Sequence, residues 1–456
     1  MRQTQRLLIS SMILLGLALA GCSRIGLPLG DQAGWRAVPE ILSRIVPPQF
    51  PARDYDVTKF GAVGDGKTDS RPAFARAIDQ CNAEGGGRVV VPAGRYQING
   101  PIHLKSNVNL HLAEGAYIRF SSNPADYLPV VLTRWEGTEL FNYSPLVYAY
   151  QATNVAITGA GTLDGNGKAC FAAWEFKQAA DVGLSRMQNE NGVPVSERIF
   201  GEGHYLRPNF VQFFGCKNIL IEGIKLVDAP FWVTHLVGCK NATVRRIVVD
   251  SWNGNSDAVD PESSVDVLIE DCVLHCEDDA VAVKSGRDHD AWRLGQASEN
   301  IIVRRCKIKT NKSGLCVGSE MAGGARNIFW EDCEIEDCVN GLFFKANGDR
   351  GGLVEGVWAR NITVGHAGKH AVNATCNYNG AYRGGRHWPL FRRVTIARMT
   401  VDRTDLEGIF LDGRPELPLS RWRFEHVSIR NEGKPSQFIN AADVVLRDVS
   451  FKGRNR

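Results

Sequence analysis

From Arg88 onward the chain runs in short stretches where apolar and polar side chains alternate with a period of two. That is the pattern of strands with one buried face. Val89-Val90-Val91, Val108-Asn109-Leu110-His111-Leu112 and Val155-Ala156-Ile157 are examples. The runs then recur at intervals: Asn218-Ile219-Leu220-Ile221, Asn241-Ala242-Thr243-Val244, Asp266-Val267-Leu268-Ile269, Asn300-Ile301-Ile302-Val303 and Asn327-Ile328-Phe329-Trp330. Successive starts lie 23, 25, 34 and 27 residues apart, and the long step holds an insertion at about Asp288 to Ser298. Weaker copies begin at Gly356, Arg393 and Arg421. Leucine-rich repeats have a similar period but need a fixed Leu pattern, which is absent. The pattern predicts an all-β fold, a right-handed single-stranded parallel β-helix. The repeated Asn suits a side-chain hydrogen-bond ladder at a turn between coils, or simply a turn former.

One segment has a clear helical period. Phe74, Ala77, Ile78 and Cys81 share a face, Asp69 or Ser70 can cap the start, and Gly85 to Gly87 end it. A short N-terminal helix of this kind is placed to cover the open end of a solenoid.

Twelve cysteines in 456 residues raise the question of disulfides. Cys272, Cys306 and Cys333 stand six residues past Asp266, Asn300 and Asn327, and the same offset from Asn218 and Asn241 falls on Ile224 and Ile247. These three therefore read as small apolar residues stacked in the core. No CxxC occurs, so no metal site is expected.

Ahead of the repeats the chain opens with Arg2 and Arg6, then an apolar run from Ile9 to Ala20, then Leu19-Ala20-Gly21-Cys22-Ser23. This resembles the lipobox of bacterial lipoproteins. The expected layout is a signal peptide over 1–21, a lipid-anchored tether over 22–53 kept extended by Pro47, Pro48 and Pro51, and a β-helix domain over 54–456. Export and residence in the bacterial envelope, periplasm or outer membrane, follow from acylation at Cys22. Past residue 21 no run is apolar enough to span a bilayer, so the lipid would be the membrane contact. A formal charge of +3 argues against a nucleic-acid surface. A monomer is expected.

The densest chemistry is Asn255-Ser256-Asp257 followed by Glu277-Asp278-Asp279. Asp257 and Asp279 are 22 residues apart, close to one coil, so these carboxylates should sit on adjacent coils facing the same way. A protonated carboxyl beside an ionised one is what glycosidic hydrolysis needs. A single Asp at a coil corner would be a solvated turn residue; two blocks one repeat apart favour catalysis.

The opening FGAVGDGKTD, the later GGGRVVVPAGRY, and WEGTELFNYSPLVYAY with GTLDGNG resemble the polygalacturonases, family 28 of the glycoside hydrolases, and its bacterial branch in particular. The resemblance covers roughly residues 55 to 430. The family's four signature blocks read here as NSDAVDP (255–261), EDDAVAVKSG (277–286), KSGLCVGSE (312–320) and LFFKAN (342–347). The resemblance implies an inverting hydrolase of α-linked galacturonate in pectic polysaccharide or oligogalacturonide, without a cofactor. Asp278 would be the general acid, and Asp257 with Asp279 would activate a water, the two roles about 6.5–9.5 Å apart. It implies substrate contacts from Lys345, Asn255 and Lys284. Ser313 stands where the family has His, and Phe343 where it has Arg, so one carboxylate clamp is lost and an apolar ring replaces it. Rhamnogalacturonan or another decorated pectin is the alternative substrate. A calcium-dependent pectate lyase and a non-catalytic cell-surface carbohydrate-binding protein are the alternatives from other classes. Tyr378, Tyr382, His387 and Trp388 are candidates to line the cleft.

Overall fold

A computed structural model describes residues 32–380 and 384–453. Cys22 and Tyr382 lie outside the described residues. A sheet of 31 strands, paired in parallel throughout, wraps into stacked coils. One core column shows the stacking: Val155 lies over Ile219, then Ala242, Val267, Ile301, Ile328, Val357, Val394, Trp422 and Val444. Each pairing repeats the inter-strand spacing, so like positions in the repeat meet on successive coils.

The repeated Asn forms the ladder its spacing predicts. Asn154 donates to Asn107, Asn218 to Asn154, and Asn241 to Asn218, at 2.8–3.0 Å. Asn300 donates to Asp266, and Asn327 to Asn300. All seven residues have left-handed backbone, φ between 54° and 62°. Asn and Asp tolerate that conformation best among residues with a Cβ. Cys272, Cys306 and Cys333 are buried and unbridged beside the turn, as expected of core side chains.

The cap is α3, Arg71–Ala83, with Phe74, Ala77, Ile78 and Cys81 buried against the first coil. Asp69 accepts from the Arg71 amide at its start, while the Ser70 hydroxyl accepts instead from Val63.

Four more helices were not expected from the sequence. Gln32–Trp35 (α1) and Val38–Arg44 (α2) occupy part of the stretch expected to be an extended tether. That expectation is corrected for residues 32–45. Trp35, Val38, Ile41 and Ile45 pack onto Leu268, Ile302 and Phe329 on the outside of three successive coils. Arg360 lies 3.8 Å above the Trp35 ring, and Arg44 pairs with Asp266 at 2.9 Å. The apolar patch on the wall, not local propensity, holds these short helices. In Ala179–Glu190 (α4) the buried positions are Asp181, Ser185 and Asn189. Its inward stripe is polar, so a hydrophobic period could not reveal it. The insertion becomes Asp288–Leu294 (α5).

Trp35→Ala removes the anchor of this docked segment. The expected result is faster proteolytic cutting within 32–50 while the β-helix stays intact, since the remaining contacts are few. Unchanged cleavage kinetics in limited proteolysis would count against the docking.

Candidate active site

Parallel register builds the site. Val259 pairs with Val281, and Val281 with Leu315, so Asp257, Asp279 and Ser313 stand at equivalent points two residues earlier. One oxygen from each of Asp257, Asp278 and Asp279 lies within 4.8 Å of the others. The three carboxyls thus converge on one part of the pocket. Coils stack at the strand spacing, and nothing wedges these two apart.

The three carboxyls differ in their partners. Asp279 accepts from Lys345 Nζ at 2.7 Å, the Ser313 amide at 3.1 Å and the Cys316 thiol at 3.2 Å. Asp257 meets Lys284 Nζ at 3.1 Å. Asp278 accepts from the Asn255 side-chain amide at 3.2 Å and the Asp279 backbone amide at 2.9 Å, and among the described residues no cation pairs with it. Arg207, fully buried, holds Asn255 in turn through the Asn255 side-chain oxygen and the Gly254 carbonyl. Exposure differs as well. Asp257 is 3% and Asp279 1% exposed, whereas Asp278 is only partly buried.

Titration follows from these surroundings. Burial and then the charge of Asp279 raise Asp278 above the ordinary carboxylate range. Burial pushes Asp279 the same way, but Lys345 and Lys284 outweigh it and leave Asp279 below that range. Burial, opposed by Lys284 and reinforced by Asp278 and Asp279, lifts Asp257 to about 8. Asp260 is fully buried beside it, raised by burial and then by Asp257, and neither of its oxygens has a hydrogen-bond partner. Lys284 stands 3.1 Å from Asp257 and 3.6 Å from Asp260. The two carboxyls titrate as a pair. The closer ammonium favours the negative charge on Asp257 and the proton on Asp260.

These carboxylates form the floor of a pocket of about 200 Å³. Its walls come from residues the sequence did not single out. Glu136 lies in the tight turn of a hairpin, Val131–Trp135 with Thr138–Asn142. Arg186 comes from α4, Arg287 precedes α5, and Trp232, Glu320, Asn347 and Arg350 complete the rim. Buried ion pairs tie these parts together: Arg287 to Glu320 at 2.7 Å, Arg350 to Asp288 at 2.9 Å, Arg198 to Asp290 at 2.6 Å. Glu320 and Asn347 close the KSGLCVGSE and LFFKAN blocks and were legible only as last letters, and Glu136 falls in the WEGTELFNYSPLVYAY stretch. Arg186, Arg287 and Arg350 sit where no repeat marks them.

Five expected substrate-contact residues fare differently. Asn255, Lys284 and Lys345 line the pocket, but both ammonium groups are engaged by carboxylates: Lys284 also reaches Glu320 at 3.5 Å and lies 4.2 Å from the Trp232 ring. Ser313 and Phe343 are not among the residues that line the pocket. Both are buried behind the carboxylates, Phe343 edge-on to Tyr378 with ring centres 5.9 Å apart. Tyr378 lines the pocket. His387 stacks on Trp292 outside it, and Trp388 packs against the core beneath Arg414.

Lys345→Met leaves Asp279 buried without its cation and should cost ~3–5 kcal/mol at neutral pH. In the native protein the lowered Asp279 contributes stability above the ordinary carboxylate range, lost as pH falls through its depressed value. In the variant only Lys284 and the Ser313 amide oppose burial, so Asp279 gains a proton at higher pH. The stability difference should shrink on acidification. Urea unfolding across pH measures it, and a difference independent of pH would refute the pairing.

The model of Glycosyl hydrolases family 28 matches residues 81–447. A hyperthermoactive exopolygalacturonase from Thermotoga maritima superposes with a TM-score of 0.87 at 37% identity, covering 91% of this chain and 96% of that one. A probable polygalacturonase of Vitis vinifera is 27% identical over 84% of this chain and 75% of its own length. For an exo-poly-α-D-galacturonosidase of Dickeya chrysanthemi the values are 25%, 76% and 62%. With the match spanning most of its length, the chain belongs to family 28 of the glycosyl hydrolases.

Proposed function

We propose that this glycoside hydrolase releases galacturonate units from the end of a pectic chain by a single displacement with inversion. One observation carries the chemistry. Asp278 is the most open of the three carboxyls, and among the described residues it pairs with no cation, whereas Asp257 and Asp279 each meet a lysine. Asp278 holds a proton and donates it to the leaving glycosidic oxygen. Asp257 and Asp279, at 3% and 1% exposure, are reachable by water but not by a ring carbon. They bind and deprotonate the water that attacks the anomeric carbon. Lysines already neutralise both, which lowers their worth as nucleophiles and supports inversion despite the close spacing.

End-on attack is supported by the name of the 37% identical relative, an exopolygalacturonase. The walls agree with it. The hairpin, α4 and α5 stand around a small pocket and are braced by buried ion pairs. Arg186, Arg287 and Arg350 on those walls supply positive charge for a uronate, in place of the clamp lost at Phe343. The Lys284 and Lys345 ammonium groups occupy the role a divalent cation would have among these carboxylates, which favours hydrolysis over a calcium-dependent elimination.

Asp278→Asn should lower turnover of a natural substrate by about 10²–10⁴-fold. A substrate with a very good leaving group should lose much less. Asp257→Asn and Asp279→Asn should slow both. Turnover should be indifferent to a chelator, and NMR of fresh product should show the inverted anomer. A retained anomer rules out the single displacement, and an unsaturated, ultraviolet-absorbing product rules out hydrolysis. A panel of homogalacturonan, rhamnogalacturonan and oligomers, with early products sized, tests the substrate and the end-on mode.

We further propose that Cys22 carries a lipid and holds the protein at the bacterial envelope. The support is the Leu-Ala-Gly-Cys run behind a basic and apolar leader. Cys22→Ser should move the enzyme from the membrane fraction to the soluble one. A wild-type protein already free in the medium would overturn this.

A further inference from the structure

The two ends of the β-helix are finished differently. At the first coil α3 covers the core. At the last, strands Gln437–Ile439 and Ala441–Gly453 form the final layer, and among the described residues nothing covers it. Its inward side chains continue the core columns: Phe438 over Leu411, Val444 over Trp422, Leu446 over Phe424, Val449 over Val427 and Phe451 over Ile429. The residues beneath are at most 1% exposed, whereas Phe438 is 36% and Leu446 45% exposed. Among the described residues the outer edge of strand Ala441–Gly453 has no partner strand, its one pairing being with Leu419–Glu432 below. Such an edge is a template for another strand.

We propose that a second copy of this chain covers this end, the two Ala441–Gly453 strands pairing antiparallel about a twofold axis between Arg447 and Asp448. The apolar pattern selects the register. With the axis there, Val444 faces the partner's Phe451 and Leu446 faces the partner's Val449. All four inward residues then meet inward residues. Shifting one strand by two residues puts Arg447 opposite Leu446 in one direction and Asp448 opposite Val449 in the other. In the register the apolar residues select, the charges fall in complementary places. Asp443 faces the partner's Lys452, and Arg447 faces the partner's Asp448. Symmetry makes each pair occur twice, as an isologous interface requires.

The local geometry fits. Asp448 has φ 51° and bends the strand, so the axis falls at a coil corner and one arm lies on the other arm of the copy. All four charged residues are exposed. Among the described residues Asp443, Arg447 and Lys452 enter no ion pair, while Asp448 contacts His426 at 2.6 Å and keeps a second oxygen for the arriving guanidinium. Charges on an edge strand usually keep other strands away. Here their order along the strand repels most sequences and matches its own reverse. The monomer expected from sequence becomes a dimer joined end to end, with both catalytic pockets left open.

Light scattering of the full chain over a concentration series should give twice the monomer mass. Hydrogen exchange should show amides of 443–452 gaining protection as concentration rises. Asp443→Lys and Lys452→Asp should each weaken the dimer by at least about tenfold, since either turns two attractive pairs into two repulsive ones. The double variant should restore it. Turnover should be unchanged in all three. A monomer at every concentration overturns the proposal. So does a dimer indifferent to the single reversals, or one that the double variant fails to restore.

Discussion

Parallel register between coils is the constraint on which everything else here rests. Once Val259 lies over Val281 and Val281 over Leu315, the positions of Asp257, Asp279 and the Ser313 amide are no longer independent. A carboxylate at one repeat position meets whatever stands at the same position one coil away. The fold therefore forces like charges to within a strand spacing of each other, a cost it must offset locally. Lys284 and Lys345 do so from a neighbouring outward column, each reaching a different carboxylate. Neither is a surface charge: both are nearly buried and both are held cationic by the acids around them.

That arrangement separates three chemically identical side chains into distinct tasks. Two are paired with ammonium groups and sealed. The third, next in sequence to one of them, is turned toward the pocket and given only amide donors. Its proton is retained by burial and by the negative charge beside it. The fourth acid, Asp260, is fully buried, lies 3.6 Å from Lys284, and titrates together with Asp257. Electrostatic balance, more than the identity of any one residue, is what makes the site usable at neutral pH.

The β-helix was legible because its signals are periodic. Alternating runs, the Asn ladder from Asn218 to Asn327 and the Cys column all recur at one interval, so each supports the others. The three aspartates were legible for the same reason. Lys345 and Lys284 were legible as candidates for the pocket they line, but their pairing with particular carboxylates was not, since sequence spacing says which coil a side chain leaves, not which neighbour it reaches. Motif position suggests Ser313 and Phe343 as substrate contacts, and both side chains are buried outside the pocket lining. Much of the walls was out of reach. Arg186, Arg287 and Arg350 sit where no repeat marks them, and α4 turns Asp181, Ser185 and Asn189 inward. A helix held by hydrogen bonds and ion pairs leaves no apolar stripe to read.

The docked N-terminal helices have a kinetic consequence. Trp35 and Ile41 lean on Leu268, Ile302 and Phe329, partners more than two hundred residues later in the chain. Their landing surface spans three coils and does not exist until those coils have stacked. Segments this far apart close slowly, because the loop between them must be ordered first. The earliest part of the described chain to leave a ribosome or a translocation channel is thus among the last to find its place. Its locking marks completion of the middle coils, and until then a Trp-bearing amphipathic segment stays available to whatever escorts the unfolded chain.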